Sequence, residues 1–330
     1  MPKGFWGKLN KPFFALAPMA DVTDAAFRRI IAKYGKPDII WTEFVSADGL
    51  FLGGKGAIIK DLDFTDNERP VVAQIFTSKP EMMKKAAKLV REIGFDGIDI
   101  NMGCPDKSIE KQGAGAALMK NPKLAVELIK SAKEGAGDLP VSVKTRIGYN
   151  NDELGSWLPI LLSAEPSAIT IHARTRKQMS KEPADWNFVK RAVEIRDKTE
   201  NTRAGDRHST LIIGNGDVAD IKDARKKAKE SGADGVMFGR AVFGNPWLFD
   251  ENKKEITPEE KLKVLLEHTK LFEEITPRKN FSIMKKHFNA YVNGWPASGG
   301  KSSAKELRLK LMEANTVGEV EKIINDYLKR

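Results

Sequence analysis

The chain has 330 residues, of which 41% are hydrophobic, so it can bury the core of one large domain and a smaller one. Its single cysteine excludes an internal disulfide framework and favours a reducing, cytoplasmic location. A formal net charge of +10 favours a polyanionic partner such as nucleic acid, although many basic enzymes bind none. No apolar run approaches the roughly 18 residues of a membrane-spanning helix, so we expect no membrane contact.

Eight short apolar segments recur along the chain. They occupy residues 13–17, 39–41, 71–75, 97–100, 141–143, 168–171, 211–213 and 235–238. Most are apolar throughout, which is typical of parallel strands that are buried on both faces. Residues 24–34, 80–93, 122–133 and 219–231, which lie between strands, have helical character.

Strands that alternate with helices over residues 1–250 predict an α/β fold, a (β/α)8 TIM barrel. A doubly wound open sheet is the structural alternative, but eight units is the number that closes a barrel. We expect residues 251–330 to form a small all-helical domain, with helices at 258–274, 281–293, 304–314 and 317–327. Thr257 with Glu260, and Thr316 with Glu319, match capping boxes. The polar segments 199–209 and 294–303 are predicted loops.

Nearly every predicted strand is followed by a polar or reactive side chain. In a closed barrel the carboxyl ends of the strands converge on the face where active sites of this fold lie. We therefore expect these groups to share one site, although a solvated loop position is the alternative for any one of them. In chain order they are Met19, Glu43, Gln74, Asn101, Cys104, Lys144, His172, Asn215, Asp217 and Arg240.

Glycines after the last two strands, at 214–216 and Gly239, would let backbone N–H groups approach an anion. Arg240 could add a bidentate contact to a phosphate. With Gln74 and Lys144 on the same rim, the pattern favours a phosphorylated cofactor with a polar ring, such as FMN. Lys144 could offset the negative charge of the reduced flavin ring. A tight turn, a surface arginine and a strand-end lysine that reaches water are the alternatives.

Cys104 lies in a turn after the fourth predicted strand, between Gly103 and Pro105, where its thiol would be displayed. A small buried hydrophobic side chain is the alternative. An unperturbed thiol has a pKa of about 8.5 and is protonated at neutral pH, which suits a proton donor. A nucleophilic cysteine would need a neighbouring base or helix N-terminus, and the sequence beside it indicates neither.

Taken together, these motifs resemble the tRNA-dihydrouridine synthase family (bacterial type, FMN-dependent), and the resemblance spans essentially the whole chain. The matching segments are 17–24, 74–76, 101–105, 113–115, 144–148, 172–176, 215–217, 239–240 and 244–247. The resemblance implies a TIM barrel that uses FMN, with NADPH or NADH as the reductant. It also implies reduction of the C5–C6 double bond of specific uridines in tRNA, with hydride delivered to C6 and a proton from Cys104 to C5. A monomer without a metal is expected.

The resemblance also assigns roles to individual residues. The implied cofactor residues are Pro18, Met19, Ala20, Gln74, Lys144, His172, Asn215, Gly216, Asp217, Gly239 and Arg240. The expected substrate or RNA contacts are Asn101, Arg146, Arg174 and Arg176, and on the helical domain Lys285, Lys286 and Arg308. For the last three, an ordinary solvated helix face is the alternative.

The loop at 177–183 departs from the family, many members of which carry an aromatic residue and a glycine there. The position of the target uridine therefore stays open. Three alternatives remain at this point: an FMN barrel that acts on a free pyrimidine (dihydroorotate dehydrogenase-like), the same chemistry on ribosomal RNA, and a non-catalytic RNA-binding protein. A uridine within folded RNA must be flipped out to react, and basic groups on the rim would offset that cost.

Overall fold

A computed structural model describes residues 4–52, 59–201, 210–293 and 304–329. Eight parallel strands form a closed barrel in chain order, and the first strand pairs with the last. The strands are β1 (Phe13–Leu16), β2 (Ile39–Ser46), β3 (Val71–Phe76), β4 (Gly97–Met102), β5 (Val141–Arg146), β6 (Ala168–His172), β7 (Leu211–Asn215) and β8 (Gly235–Phe238). The predicted TIM barrel is confirmed.

Most of the strands extend beyond their apolar segments and include the polar residues that follow. Asn101 of β4 pairs with Lys144 of β5, and His172 of β6 pairs with both Arg146 and Asn215. These side chains therefore belong to the sheet rather than to loops. The backbone ladder holds them more rigidly than a loop would.

Helices cover the outside of the barrel. Their bounds are Ala25–Tyr34, Ala47–Leu52, Pro80–Ile93, Lys107–Lys111, Pro122–Ala136, Leu154–Leu162, Asn187–Asn201 and Ile221–Ser231. The helices Pro80–Ile93 and Pro122–Ala136 start with proline, which fits the first helical turn. The helices Pro80–Ile93 and Ile221–Ser231 end at Gly94 and Gly232, both in the left-handed conformation. The helix Asn187–Asn201 takes in residues 199–201 of the predicted loop, and residues 202–209 lie outside the described residues.

Aromatic side chains close the end of the barrel where the strands begin. Trp6, from the short helix Gly4–Lys8, lies 5.8 Å from Phe13 and 6.0 Å from Trp41 between ring centroids. All three are buried. The cavity of the barrel can therefore open only at the carboxyl ends of the strands.

In the part of residues 251–330 that the structure describes, the regular elements are all helices, as predicted. They are Pro258–Ile275, Met284–Val292, Ala304–Glu313 and Val317–Leu328, while residues 294–303 of the other predicted loop lie outside the described residues. The capping box of Thr257 and Glu260 is confirmed. At the second site only half of it forms: Thr316 accepts from the Glu319 N–H at 3.3 Å, but the Glu319 carboxylate accepts from Asn315.

The helical region packs on the barrel helix Ala25–Tyr34. The Phe27 ring lies 5.0 Å from His268 and 4.6 Å from His287 between centroids, and all three residues are buried. Glu267 accepts hydrogen bonds from Lys33 and Tyr34 at the edge of this contact. Among the described residues, no helix is long and apolar enough to span a membrane.

Candidate active site

A cavity of about 670 Å³ opens at the carboxyl ends of the strands. It brings together most of the residues singled out in the sequence. The predicted residues that line it are Pro18, Met19, Gln74, Asn101, Cys104, Lys144, Arg146, His172, Arg174, Asn215, Gly216, Asp217, Gly239 and Arg240. Ala20, Arg176, Lys285, Lys286 and Arg308 do not line it.

Strand β2 differs from the expectation that Glu43 would end a strand at this face. The register of β2 against β3 shifts between Trp41 and Phe44, so two residues oppose one on β3. This bulge turns Phe44 into the cavity, while Glu43 accepts from the Asp21 N–H at 2.6 Å and pairs with Lys279 at 2.5 Å. Glu43 therefore links the barrel to the helical region instead of lining the cavity.

Cys104 stands in a turn that is fixed from two sides. The Asn101 Oδ1 accepts from the backbone N–H groups of Gly103 and Cys104 at 3.2 and 2.9 Å. Gly115 packs against the Cys104 carbonyl oxygen so closely that a Cβ there would lie 2.8 Å from it, and its φ is +60°. This close approach and positive φ require glycine at that position.

The Cys104 thiol is half-buried at the cavity wall. Burial raises its pKa, and this effect exceeds the opposing effects of the Asp106 N–H and the Arg146 charge. The thiol is therefore protonated at neutral pH. It can donate a proton to a group in the cavity but has little thiolate character.

A buried chain of hydrogen bonds runs beneath Cys104. Asn101 donates to Gln74 at 3.0 Å, Gln74 donates to Asp99 at 2.6 Å, and Ser142 donates to the other Asp99 oxygen at 2.6 Å. Sequence reasoning assigned no role to Asp99 or Ser142. The signal that could have found them is a carboxylate inside an otherwise apolar strand, because such a group needs hydrogen-bond partners.

Lys144 places a cation in the cavity floor. Its Nζ donates to the Asn215 Oδ1 at 3.0 Å, and Asn215 in turn donates to the Met237 carbonyl at 2.8 Å. Burial lowers the pKa of Lys144 to about 8, and the nearby Arg146 charge adds to this effect. An ammonium group in this setting favours an anionic ligand, which would restore its ordinary pKa.

An ion network lies across the cavity from Cys104. Arg174 and Arg240 both pair with Asp217, which sits at a φ of +46° and also accepts from the Ala184 N–H at 2.9 Å. The hydrogen bond from Arg174, despite opposing desolvation, holds the pKa of Asp217 down to about 2. Burial, together with surrounding cations, keeps the pKa of His172 well below its ordinary value, so this imidazole is neutral.

Two arginines that were expected to contact substrate line the cavity and also make hydrogen bonds within the protein. The side chain of Arg174 is 3% exposed, and besides Asp217 it binds His172 and the Glu182 carbonyl. Arg146 is also buried and donates to the carbonyls of Gly103 at 2.7 Å, Thr175 at 3.1 Å and Met179 at 3.0 Å. Arg146 thus joins the cysteine turn to the loop at 177–183, one residue of which, Ser180, lines the cavity.

Apart from Asn101, which lines the cavity, the other expected RNA contacts lie outside it. Arg176 pairs with Glu110, and the helix Met284–Val292 carries Lys285, 3.3 Å from an Asn315 oxygen, and Lys286, 4.0 Å from Asp21. Arg308 lies on the helix Ala304–Glu313, and Ala20 is exposed next to Met19.

The described residues fit a phosphorylated ring cofactor. Gly239 precedes the short helical turn Arg240–Val242, and backbone N–H groups at such a turn suit a phosphate. Gly216 has a φ of +125°, and a Cβ there would lie 2.7 Å from the Ala184 Cβ, so the backbone itself forms this wall. The amide of Gln74 and the ammonium of Lys144 supply polar groups for a ring.

Residues 15–329 match the model of the family described as Dihydrouridine synthase (Dus). The chain is 38% identical over 334 residues to a probable tRNA-dihydrouridine synthase 2 of Bacillus subtilis (strain 168), covering 100% of this chain and 98% of that protein. It is 37% identical over 332 residues to a probable tRNA-dihydrouridine synthase of Staphylococcus aureus (strain COL), covering 99% and 96%.

Solved structures support the fold. Morphinone reductase in complex with tetrahydroNAD aligns with a TM-score of 0.51 at 13% identity, covering 77% of this chain and 91% of that chain. Histamine dehydrogenase from Rhizobium sp. 4-9 aligns with a TM-score of 0.54 at 12% identity, covering 78% and 48%. At these identities the likeness concerns the barrel alone.

Proposed function

The chain belongs to the dihydrouridine synthase family, and from that premise we propose that it reduces the C5–C6 double bond of specific uridines in tRNA to 5,6-dihydrouridine. The observation that carries the proposal is the protonated Cys104 thiol, which lines the same cavity as the Lys144 cation. The alternative of a non-catalytic RNA-binding protein gives no reason for a proton donor and a buried cation in one cavity.

Family membership implies a flavin, and we propose FMN with NADPH as the reductant, NADH being the alternative. The reduced flavin, when bound, supplies the hydride for C6 of the uracil. Gln74 and Lys144 would bind the ring, Pro18, Met19 and Ala20 would line it, and His172 would lie against it. The turn at 215–217 and the Gly239–Arg240 pair would hold the phosphate.

Cys104 would complete the reduction by protonating C5. Hydride addition at C6 leaves electron density at C5 and the C4 oxygen, which a nearby acid must neutralise. The raised pKa of the Cys104 thiol keeps the required proton in place at neutral pH. His172 cannot supply it as an imidazolium, because its pKa lies well below the ordinary value.

RNA contacts would come from cations outside the cavity, of which Lys286 is exposed and the other three are half-buried. Lys285, Lys286 and Arg308 lie on the helical region, which we propose contacts tRNA, and Arg176 lies on the barrel rim. Phosphate contacts of this kind would offset the cost of flipping the uridine out of its stack. For Arg146 and Arg174 we propose an internal role, which is to hold the cysteine turn, His172 and the loop at 177–183.

The test is to treat tRNA from cells that lack dihydrouridine with the FMN-loaded protein and NADPH, and to map the products by mass spectrometry. We expect a gain of two hydrogens at defined uridines of tRNA. Parallel reactions with ribosomal RNA and with orotate or free uracil test the alternatives. Unmodified tRNA together with turnover of a free pyrimidine would overturn the proposal, and modification of ribosomal RNA alone would replace the substrate.

A further inference from the structure

Asp99 carries a carboxyl group inside the barrel, one layer below the cavity floor. It lies in the middle of β4 with no exposed surface and does not line the cavity. Its neighbours in register are Gln74 on β3 and Ser142 on β5. A carboxyl group buried this completely is costly unless hydrogen bonds satisfy it, so its place in the barrel needs a reason.

Both oxygens of Asp99 accept hydrogen bonds. Oδ2 accepts from the Gln74 Nε2 at 2.6 Å, and Oδ1 accepts from the Ser142 Oγ at 2.6 Å. Burial raises the pKa of Asp99 to about 6, so the group is ionised at pH 7 and above. An ionised carboxylate only accepts, and Gln74 must therefore turn the nitrogen of its amide towards it.

The orientation of the Gln74 amide determines the orientation of the Asn101 amide. With its nitrogen on Asp99, Gln74 offers its oxygen to Asn101, which donates from Nδ2 at 3.0 Å. Asn101 must then point its own oxygen the other way, where it accepts from the N–H groups of Gly103 and Cys104. If Asn101 were reversed, its NH2 group would face two backbone donors, and the turn would lose both bonds.

We propose that Asp99 is a positioning residue for the reaction: its carboxylate fixes the amide directions of Gln74 and Asn101, and through them the turn that carries Cys104. As a role in catalysis this rests on the proposed function. The geometric part stands apart from it, because Cys104 is the only cysteine in the chain and reports on its own turn.

The test compares the rate at which iodoacetamide alkylates Cys104 in folded protein, with Asp99→Asn as the main variant. An asparagine can present either end to Gln74, so the turn loosens and alkylation rises about fivefold or more. Ser142→Ala is the matched control, since it removes a partner of Asp99 but keeps the carboxylate; its rate stays within about twofold of the unmodified protein. Thermal melting confirms that each variant is folded.

A double variant gives the sharper readout. In Asp99→Asn with Gln74→Glu, the new carboxylate at 74 accepts from both asparagines and restores the direction of Asn101. Alkylation then returns to within about twofold of the unmodified protein. A folded Asp99→Asn with an unchanged or slower rate, or a double variant as fast as the single one, overturns the proposal.

If Asp99→Asn does not fold, Gln74→Met breaks the same chain while Asp99 stays bonded to Ser142. A rise in alkylation supports the inference, and an unchanged rate overturns it. In the reaction itself, Asp99→Asn lowers kcat for tRNA about tenfold and leaves KM within about twofold, because the basic rim is intact. An unmodified protein that fails to reduce tRNA refutes the proposed function, while the alkylation rates still decide the geometry.

Discussion

The Nε2 of His172 lies 3.0 Å from the Nη1 of Arg174. A guanidinium group only donates, so Nε2 must accept and the imidazole must carry its proton on Nδ1. Arg174 is in turn held by Asp217 and by the Glu182 carbonyl. One buried arginine thus sets both the orientation and the tautomer of the histidine that faces the cavity.

We expect His172 to remain a neutral Nδ1–H tautomer at pH 6, where an ordinary histidine is mostly protonated, because burial and nearby cations lower its pKa. Nitrogen NMR of histidine-labelled protein measures this, and loss of the signal in His172→Gln assigns it. Arg174→Met should raise the pKa, since it removes a neighbouring charge. An imidazolium signal from His172 in the unmodified protein at pH 6 would contradict this picture.

Replacement of Cys104 by serine should separate the two halves of the reaction. A serine hydroxyl has a similar shape but is a far weaker acid, so single-turnover reduction of uridine falls by about 100-fold or more. Bleaching of the flavin by NADPH needs no proton from this side chain and should stay within about twofold. Stopped-flow absorbance measures both rates. Full uridine reduction by the serine variant would rule out Cys104 as the proton donor.

Affinity for FMN should fall as the pH rises through about 8. Lysine is charged below its pKa, which burial lowers to about 8 for Lys144, so the unliganded protein loses this cation above that pH. Calorimetric titration of the apoprotein with FMN between pH 7 and about 9.5 measures the effect. Lys144→Arg keeps its charge and should bind with little change over this range. Lys144→Met should bind FMN weakly at every pH tested. If its affinity for FMN falls above pH 8 as much as that of the unmodified protein does, the titration belongs to another group.

The buried histidines between the barrel and the helical region should lower the free energy of unfolding relative to apolar side chains. Among the described residues, neither ring nitrogen of His268 or His287 has a hydrogen-bond partner. His287→Leu should therefore raise the free energy of unfolding by about 1 kcal/mol at pH 7.5, as measured by urea denaturation. Asn289→Leu, at an exposed position of the same helix, is the control and should change it by less than about 0.5 kcal/mol.

The stability gained in the same variant should depend on pH. Burial lowers the pKa of His287 to about 3, whereas an unfolded histidine titrates near 6.5. Between these values the unfolded chain binds a proton that the folded protein does not, so each such histidine lowers stability by about 1.4 kcal/mol per pH unit as the pH falls. The advantage of His287→Leu should therefore grow from pH 6 to pH 4.5. A constant difference across this range would mean that His287 is protonated in the folded protein.

Periodicity and strand-end chemistry are local properties, and they located all eight strands and most of the cavity lining. Most of the strands were predicted too short at their carboxyl ends because residues such as Asn101, Lys144 and His172 are polar, although a buried strand accommodates polar groups where it reaches the barrel mouth. The helices Leu154–Leu162 and Asn187–Asn201 were not among the predicted helical segments, and the first of them contains Pro159.

Partners far apart in sequence could not be foreseen in this way. Arg146 bonds to carbonyls of residues 29 and 33 positions away, and nothing in the local pattern distinguishes it from an arginine that faces RNA. The partners of Asp99 were similarly hidden, because they depend on which strands stand beside β4 and in what register.

The bulge in β2 places two roles on adjacent residues of one strand. Its one extra residue lets Trp41 and Phe44, three positions apart, face the same interior, while Glu43 reaches Lys279 outside. Deletion of Glu43 would leave Phe44 two positions after Trp41, on the same face of a regular strand. The cavity would therefore keep its aromatic wall, while the helical region would lose the carboxylate that binds Lys279. The extra residue thus serves the junction between the barrel and the helical region rather than the cavity.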